Sequence, residues 1–191
     1  MIEDGSKTDE ANAVLVTGGS GFIGQRLVRR LSNDGPVAVS MYHHRLPESL
    51  PNVFPVCSDM SSAELLAAPL RGIKTVVHMA WEGGLVGPTD TANWNPMSPA
   101  ALPKNVKILK NLIAAMERAG TQRIVFVSAI GASSSAKAPF LREKYLAEFY
   151  VLNSTIPEKV VIRSSIACDS EGTSDRFVRS ILRVMKFPGI Y

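Results

Sequence analysis

Cysteine is scarce: Cys57 and Cys168 are the only two in 191 residues, and histidine occurs three times. That excludes a disulfide framework, and no Cys or His spacing matches a zinc site. Each cysteine lies in or beside an apolar strand-like run, so both are expected to be buried reduced thiols. Long hydrophobic runs are missing as well. No stretch of eighteen apolar residues occurs, which leaves no candidate for a membrane-spanning helix. Residues 1–12 are polar and acidic, unlike a secretory leader, and are expected to be the loose tail of a cytoplasmic protein. Basic clusters interleaved with aromatics are absent too. The 21 Lys and Arg against 17 Asp and Glu, net +4, are spread along the chain, which argues against a nucleic-acid face and suits a phosphate-bearing ligand.

What is present is an ordinary globular composition, 46% hydrophobic and 20% charged, enough for one buried core over residues 13–191. The apolar runs alternate in type. Val14-Leu15-Val16 reads as a strand, Ile23, Leu27 and Leu31 recur at helical spacing, and Val37-Ala38-Val39 reads as a strand again. Further strands are expected at 53–56, 75–79, 124–127 and 160–162, with helices over 106–119 and 141–152. Strands this short and this continuously apolar predict an α/β parallel sheet buried on both faces by helices. Between Trp81 and Pro103, Gly83-Gly84, Gly87-Pro88, Asn95-Pro96 and Ser98-Pro99 break any regular period, and a loop of that length is expected to be functional or mobile.

Thr17-Gly18-Gly19-Ser20-Gly21-Phe22-Ile23-Gly24 follows the first strand directly and opens the first helix. Glycines are needed there because the backbone must turn sharply, approach a pyrophosphate closely and let the helix pack on the sheet. The helix N-terminus adds free N–H groups and a favourable dipole. Gly18, Ser20, Gly21, Phe22, Ile23 and Gly24 are therefore the expected phosphate-binding residues.

The wording T-G-x-x-G-x-x-G resembles the short-chain dehydrogenase/reductase superfamily, in its extended and atypical epimerase/dehydratase-like branches, and the resemblance runs from Ala13 onward. It implies a Rossmann-type doubly wound parallel sheet holding a dinucleotide. It further implies that Asp59, with Met60 after it, meets the adenine amino group, and that the backbone of His78, Met79 and Ala80 lines the ribose and pyrophosphate. Asn105 falls beside the active site, and Ser165, in Ile162-Arg163-Ser164-Ser165, falls at the nicotinamide. The residues by themselves leave other roles open. Asp59 can cap the short helical stretch after it, His78 can be a satisfied buried histidine, and Asn105 can cap its own helix.

NAD-preferring members place a carboxylate at the end of the second strand, where it accepts from the ribose and repels a 2′-phosphate. Met41-Tyr42-His43-His44-Arg45 carries no acid there, and Arg45 with His43 or His44 is placed to pair with a phosphate. NADP is expected over NAD; an ordinary surface arginine is the alternative.

In active members a tyrosine four residues before a lysine moves the proton, because residues four apart share one helix face, and a serine or threonine after the fifth strand holds the substrate oxygen. Here Phe140 stands in the tyrosine position and Ala129 in the hydroxyl position, while Lys144 is retained. Neither replacement can move a proton. Tyr145 points roughly 140° away from Phe140 at about 100° per residue, so it is no substitute. Ser128 is expected to be able to reach the cofactor, and Lys144 to bind ribose hydroxyls. Extended members also build a substrate lobe beyond the Arg163 strand, of which only an amphipathic stretch around Phe177, Ile181, Leu182 and Met185 is readable. The expected protein thus holds a dinucleotide without conventional Tyr–Lys catalysis, as a fragment or completed by another copy or a partner chain; an active epimerase, dehydratase or reductase on a nucleotide-sugar or related carbonyl is the alternative.

Overall fold

The computed structural model describes residues 13–82, 102–165 and 167. Six strands form one parallel sheet: β1 (Val14–Thr17), β2 (Ala38–Tyr42), β3 (Val53–Cys57), β4 (Thr75–His78), β5 (Arg123–Ala129) and β6 (Glu158–Ser164). Their spatial order is β3-β2-β1-β4-β5-β6. The order reverses between β1 and β4, the switch point at which a doubly wound sheet opens a crevice at its carboxyl ends. Thr17, the last residue of β1, is in register with Met41 of β2 and His78 of β4, so three strands deliver their ends to that crevice.

Alternation along each strand feeds two cores. Val16, Ala38 and Val53 pack against Val28 of α1 (Phe22–Asp34) on one face. Leu15, Met41, Val76, Ile124 and Phe126 face α2 (Lys104–Ala119) and α3 (Pro139–Leu152) on the other, meeting Leu109, Leu112, Met116, Ala147 and Val151. Gly120, at φ +68, stops α2 by turning left-handed and donating its N–H to the Met116 and Glu117 carbonyls. Pro139 opens α3, where its missing N–H costs nothing.

The structure departs from the sequence reading at the edges. Both α2 and α3 begin two residues earlier than their apolar periodicity shows, because Lys104, Asn105, Pro139 and Phe140 extend the helices without lengthening the repeat. Strands β3 and β6 are not buried on both faces: Phe54, Val160 and Ile162 are exposed, since an apolar run marks a strand but not its place in the sheet. Cys57, on β3, is exposed rather than buried, with its Sγ directed at the His43 carbonyl 3.8 Å away. Cys168, the 83–101 segment and the apolar stretch from Phe177 lie outside the described residues. Among the described residues, no helix is long and apolar enough to cross a membrane, and no group of His, Cys, Asp and Glu is arranged to hold a metal.

Candidate functional site

The turn between β1 and α1 is built so tightly that side chains have no room. Gly18 sits at φ +72, and a Cβ on it would lie 2.7 Å from the Ala80 backbone nitrogen; a Cβ on Gly24 would lie 2.1 Å from the Gly18 carbonyl oxygen. The Gly21 N–H closes the turn on Gly18 O, and the first helical bond runs from Gln25 N to Gly21 O, both 2.9 Å. The N–H groups of Phe22, Ile23 and Gly24 therefore precede the helix ladder, Gly21 offers no side-chain cap, and no acid stands in the first turn. The positive end of the α1 dipole is left for an anion. The fully buried Ser40 hydroxyl has no partner and lies where a Cβ on Gly19 would fall, 2.1 Å away.

At the switch point Thr17 meets His78. Its Oγ1 lies 2.7 Å from His78 Nδ1 and accepts from the N–H groups of Met79 (3.2 Å, shared with the Thr17 carbonyl) and Ala80 (3.3 Å). Burial, aided by the nearby Lys144 charge, holds the His78 pKa down to about 3 and so keeps the ring neutral. The expected satisfied histidine is only half satisfied, because Nε2 is buried without a partner.

Helix α3 supplies the other wall. Lys144 is 5% exposed, and its Nζ donates to the Val127 carbonyl at 2.9 Å. Three rings surround the nitrogen: Trp81 at 3.7 Å from the ring centroid, Phe126 at 4.9 Å and Phe140 at 5.8 Å. Burial pushes the amine down to about 7, while the carboxylates of Glu143 and Glu148 pull it back up. Tyr145 is largely on the outside, at 40% exposure.

Ser128 faces α3, opposite to Ala129 on the alternating strand, and its buried hydroxyl donates to Glu148 Oε1 at 2.5 Å. This corrects the expectation that Ser128 reaches a cofactor: its proton is committed to the core. Glu148 also accepts from Arg163 Nε (2.9 Å) and Nη2 (2.6 Å), which ties α3 to both β5 and β6. Glu148→Ala is expected to lose about 1.5–3 kcal/mol, from the charge-assisted bond to Ser128 and the hydroxyl left unpaired. Urea denaturation checks this, and an unchanged midpoint would contradict it.

Asn105 does not cap α2. Pro103 holds that place, and the Asn105 side chain instead exchanges two bonds with the Glu82 backbone (2.9 Å each) and donates to Glu143 Oε1 at 3.1 Å. Glu143 and Glu148, both under 5% exposed, were missed in the sequence. The usable signal was spacing: Glu143 lies four residues before Ala147, and Lys144 four before Glu148, on the stripe of α3 that also buries Val151. Asp59 is exposed and accepts from the Ser61 N–H and hydroxyl, both 2.9 Å, which closes an Asx turn; it does not cap the short helical turn after it (Glu64–Leu66), whose N-cap is Ala63 with no side-chain bond. Arg45, just past β2, and Ser165, just past β6, are exposed, and the Met60 carbonyl accepts from Asn111.

A family profile described as NAD(P)H-binding matches residues 18–175, most of the chain. The chain belongs to this NAD(P)H-binding family. This NAD(P)H-binding chain is similar to the 3 beta-hydroxysteroid dehydrogenase/Delta 5→4-isomerase of Mycobacterium tuberculosis, 36% identical over 128 residues, 65% of this chain and 34% of that protein. It is also similar to a 3-beta-hydroxysteroid dehydrogenase of Mycolicibacterium neoaurum, 37% identical over 119 residues, 60% of this chain and 31% of that one. Among solved structures, a UDP-galactose 4-epimerase superposes with a TM-score of 0.60 at 19% identity, over 79% of this chain and 55% of the other, and shares the fold. MoeE5 in complex with UDP-glucose and NAD gives 0.61 at 27% identity, over 80% and 54%. These neighbours are of the extended short-chain branch that the glycine motif implied. The chain spans about a third of the length of the curated relatives it matches.

Proposed function

We propose that this chain holds a nicotinamide dinucleotide at the β1–α1 turn and lacks the conventional Tyr–Lys chemistry of its superfamily. One observation carries the reading: a cradle with no room for side chains stands opposite a retained Lys144, while a ring at Phe140 and a methyl at Ala129 replace the two hydroxyls. The pyrophosphate would rest on the N–H groups of Phe22, Ile23 and Gly24, with Gly18, Ser20 and Gly21 around it and the His78-Met79-Ala80 backbone alongside. Asp59 and Met60 would flank the adenine, Lys144 would donate to ribose hydroxyls, and Asn105 and Ser165 would lie near the nicotinamide. When bound, the dinucleotide supplies hydride transfer. NADP is favoured over NAD because no acid follows β2 and Arg45 is exposed there. Calorimetric titration with both dinucleotides tests this, and tighter NAD binding would sink the preference.

The retained, buried Lys144 favours a second reading, a dehydrogenase, reductase, dehydratase or epimerase acting on a nucleotide-sugar or related carbonyl or alcohol, with its cleft completed by another copy or a partner chain. The two readings separate on Phe140→Tyr. With a panel of sugar nucleotides and hydroxysteroids, the unmodified chain is expected to show no turnover. The variant regains a phenol one turn from Lys144, worth about 10²–10⁴-fold. Ready turnover by the unmodified chain would overturn the first reading.

A further inference from the structure

Lys144 and Trp81 are 63 positions apart in sequence, yet the indole face lies 3.7 Å from Nζ. A hydroxyl bonded to that nitrogen needs about 2.9 Å to its own oxygen, and the oxygen needs further room before it meets a ring carbon. Nothing fits between the two. Among the described residues Nζ also meets the Val127 carbonyl and the Phe126 and Phe140 rings, with the Glu143 and Glu148 carboxylates acting on it from its own helix, and the whole side chain is 5% exposed. The covering arrangement is also costly for the indole, whose buried Nε1 has no acceptor among the described residues. Trp81 follows Ala80 directly, Ala80 is pressed on the Gly18 turn, and the indole packs against Phe126 with ring centroids 5.9 Å apart.

We propose that the Trp81 ring competes with the sugar hydroxyls of a bound nucleotide for the same face of Lys144 Nζ, and so restrains the affinity for ligands that reach beyond the phosphates. This rests on the reading that Lys144 receives ribose hydroxyls. A ligand that only fills the cradle leaves the cation–π contact in place. One with a second ribose must exchange that contact for hydrogen bonds, and the displaced indole gains the acceptor it lacks.

Two probes separate these cases: AMP, which has one ribose, and ADP-ribose, which carries the second ribose without the nicotinamide. In calorimetric titrations at about pH 6, where Lys144 is a cation, Trp81→Ala is expected to bind ADP-ribose about five- to thirtyfold more tightly than the unmodified chain, the worth of a desolvated cation–π contact. AMP affinity should stay within about twofold on that reasoning. Trp81→Phe, which keeps one aromatic face but loses the pyrrole ring with its N–H, should gain less ADP-ribose affinity than Trp81→Ala. If the alanine variant is unfolded by its cavity, Trp81→Leu fills the space without a π face and carries the same expectation. In a Trp94→Phe background, Trp81 becomes the sole tryptophan, and its emission should shift with ADP-ribose and not with AMP. Equal or weaker ADP-ribose binding by the alanine or leucine variant, with AMP still bound, overturns the competition and leaves the dinucleotide reading standing. Failure of the unmodified chain and the variants alike to bind either nucleotide overturns both.

Discussion

Gly24→Ala is expected to abolish measurable dinucleotide binding and to cost the fold about 1–3 kcal/mol, the usual range for forcing atoms into a packed site. The added methyl would sit 2.1 Å from the Gly18 carbonyl oxygen and 2.8 Å from the Gly19 Cα, both backbone atoms that cannot swing aside. Gly18 cannot retreat, because it is pressed on the Ala80 backbone in a left-handed conformation. The turn or the helix must shift, and the N–H groups of Phe22, Ile23 and Gly24 leave their common aim. A matched control exists at Gly72, also left-handed at φ +75 but with nothing within 4 Å of a Cβ. Gly72→Ala should cost about 1–2 kcal/mol of backbone strain and leave binding intact. Calorimetry with NADP and NAD, paired with urea denaturation, reads both quantities. Binding retained in Gly24→Ala would remove the β1–α1 turn from the site.

Stability should rise with pH between about 7 and 10.5, and Lys144→Met should flatten that rise. Below about 7 the Lys144 amine is protonated in both folded and unfolded chains, so the folded state bears the full penalty of a buried cation. Between about 7 and its ordinary 10.5, the unfolded chain holds a proton that the folded chain has released, and the free energy of unfolding climbs with pH. Above that range the amine is neutral in both states and the penalty is gone. At about 1.4 kcal/mol per tenfold the span amounts to several kcal/mol, reduced by the three ring faces that favour the cation. His78 acts in the same sense lower down, because it stays neutral in the folded chain while the unfolded chain protonates between 6.5 and about 3. Lys144→Met keeps the volume and removes the charge, so the slope at acid pH should persist while the alkaline rise disappears. Urea midpoints from pH 4 to pH 10 test the pair; an unchanged alkaline slope in the variant would contradict the assignment to Lys144.

Much of the architecture was legible because the signals were local. Two periodicities, one of strands and one of helices, placed every strand and α-helix of the described residues within a few residues, and the glycine run announced the turn because Gly24 is crowded by backbone atoms at most six residues back in the chain. Burial was less legible. Phe54, Val160 and Ile162 belong to apolar runs as good as that of Val76, yet they lie exposed on outer strands. Buried charge was less legible still: nothing near Glu143 and Glu148 in the chain marks them as enclosed, because Asn105, Ser128 and Arg163 come from other elements to meet them.

The sequence by itself determined the β-α order, the glycine turn and the residue types at positions 129, 140 and 144, since each is a matter of which residue stands at a position or repeats at a short period. Tertiary structure alone decided the chemical states. Burial keeps His78 neutral against Thr17, 61 residues away, and the charge of Lys144 is set by its burial, by the carboxylates of its own helix and by rings from β5, α3 and the segment after β4. The reason is physical: a side chain's ionisation depends on the solvent it loses and the partners it gains, and both come from faces that meet only when the sheet is assembled.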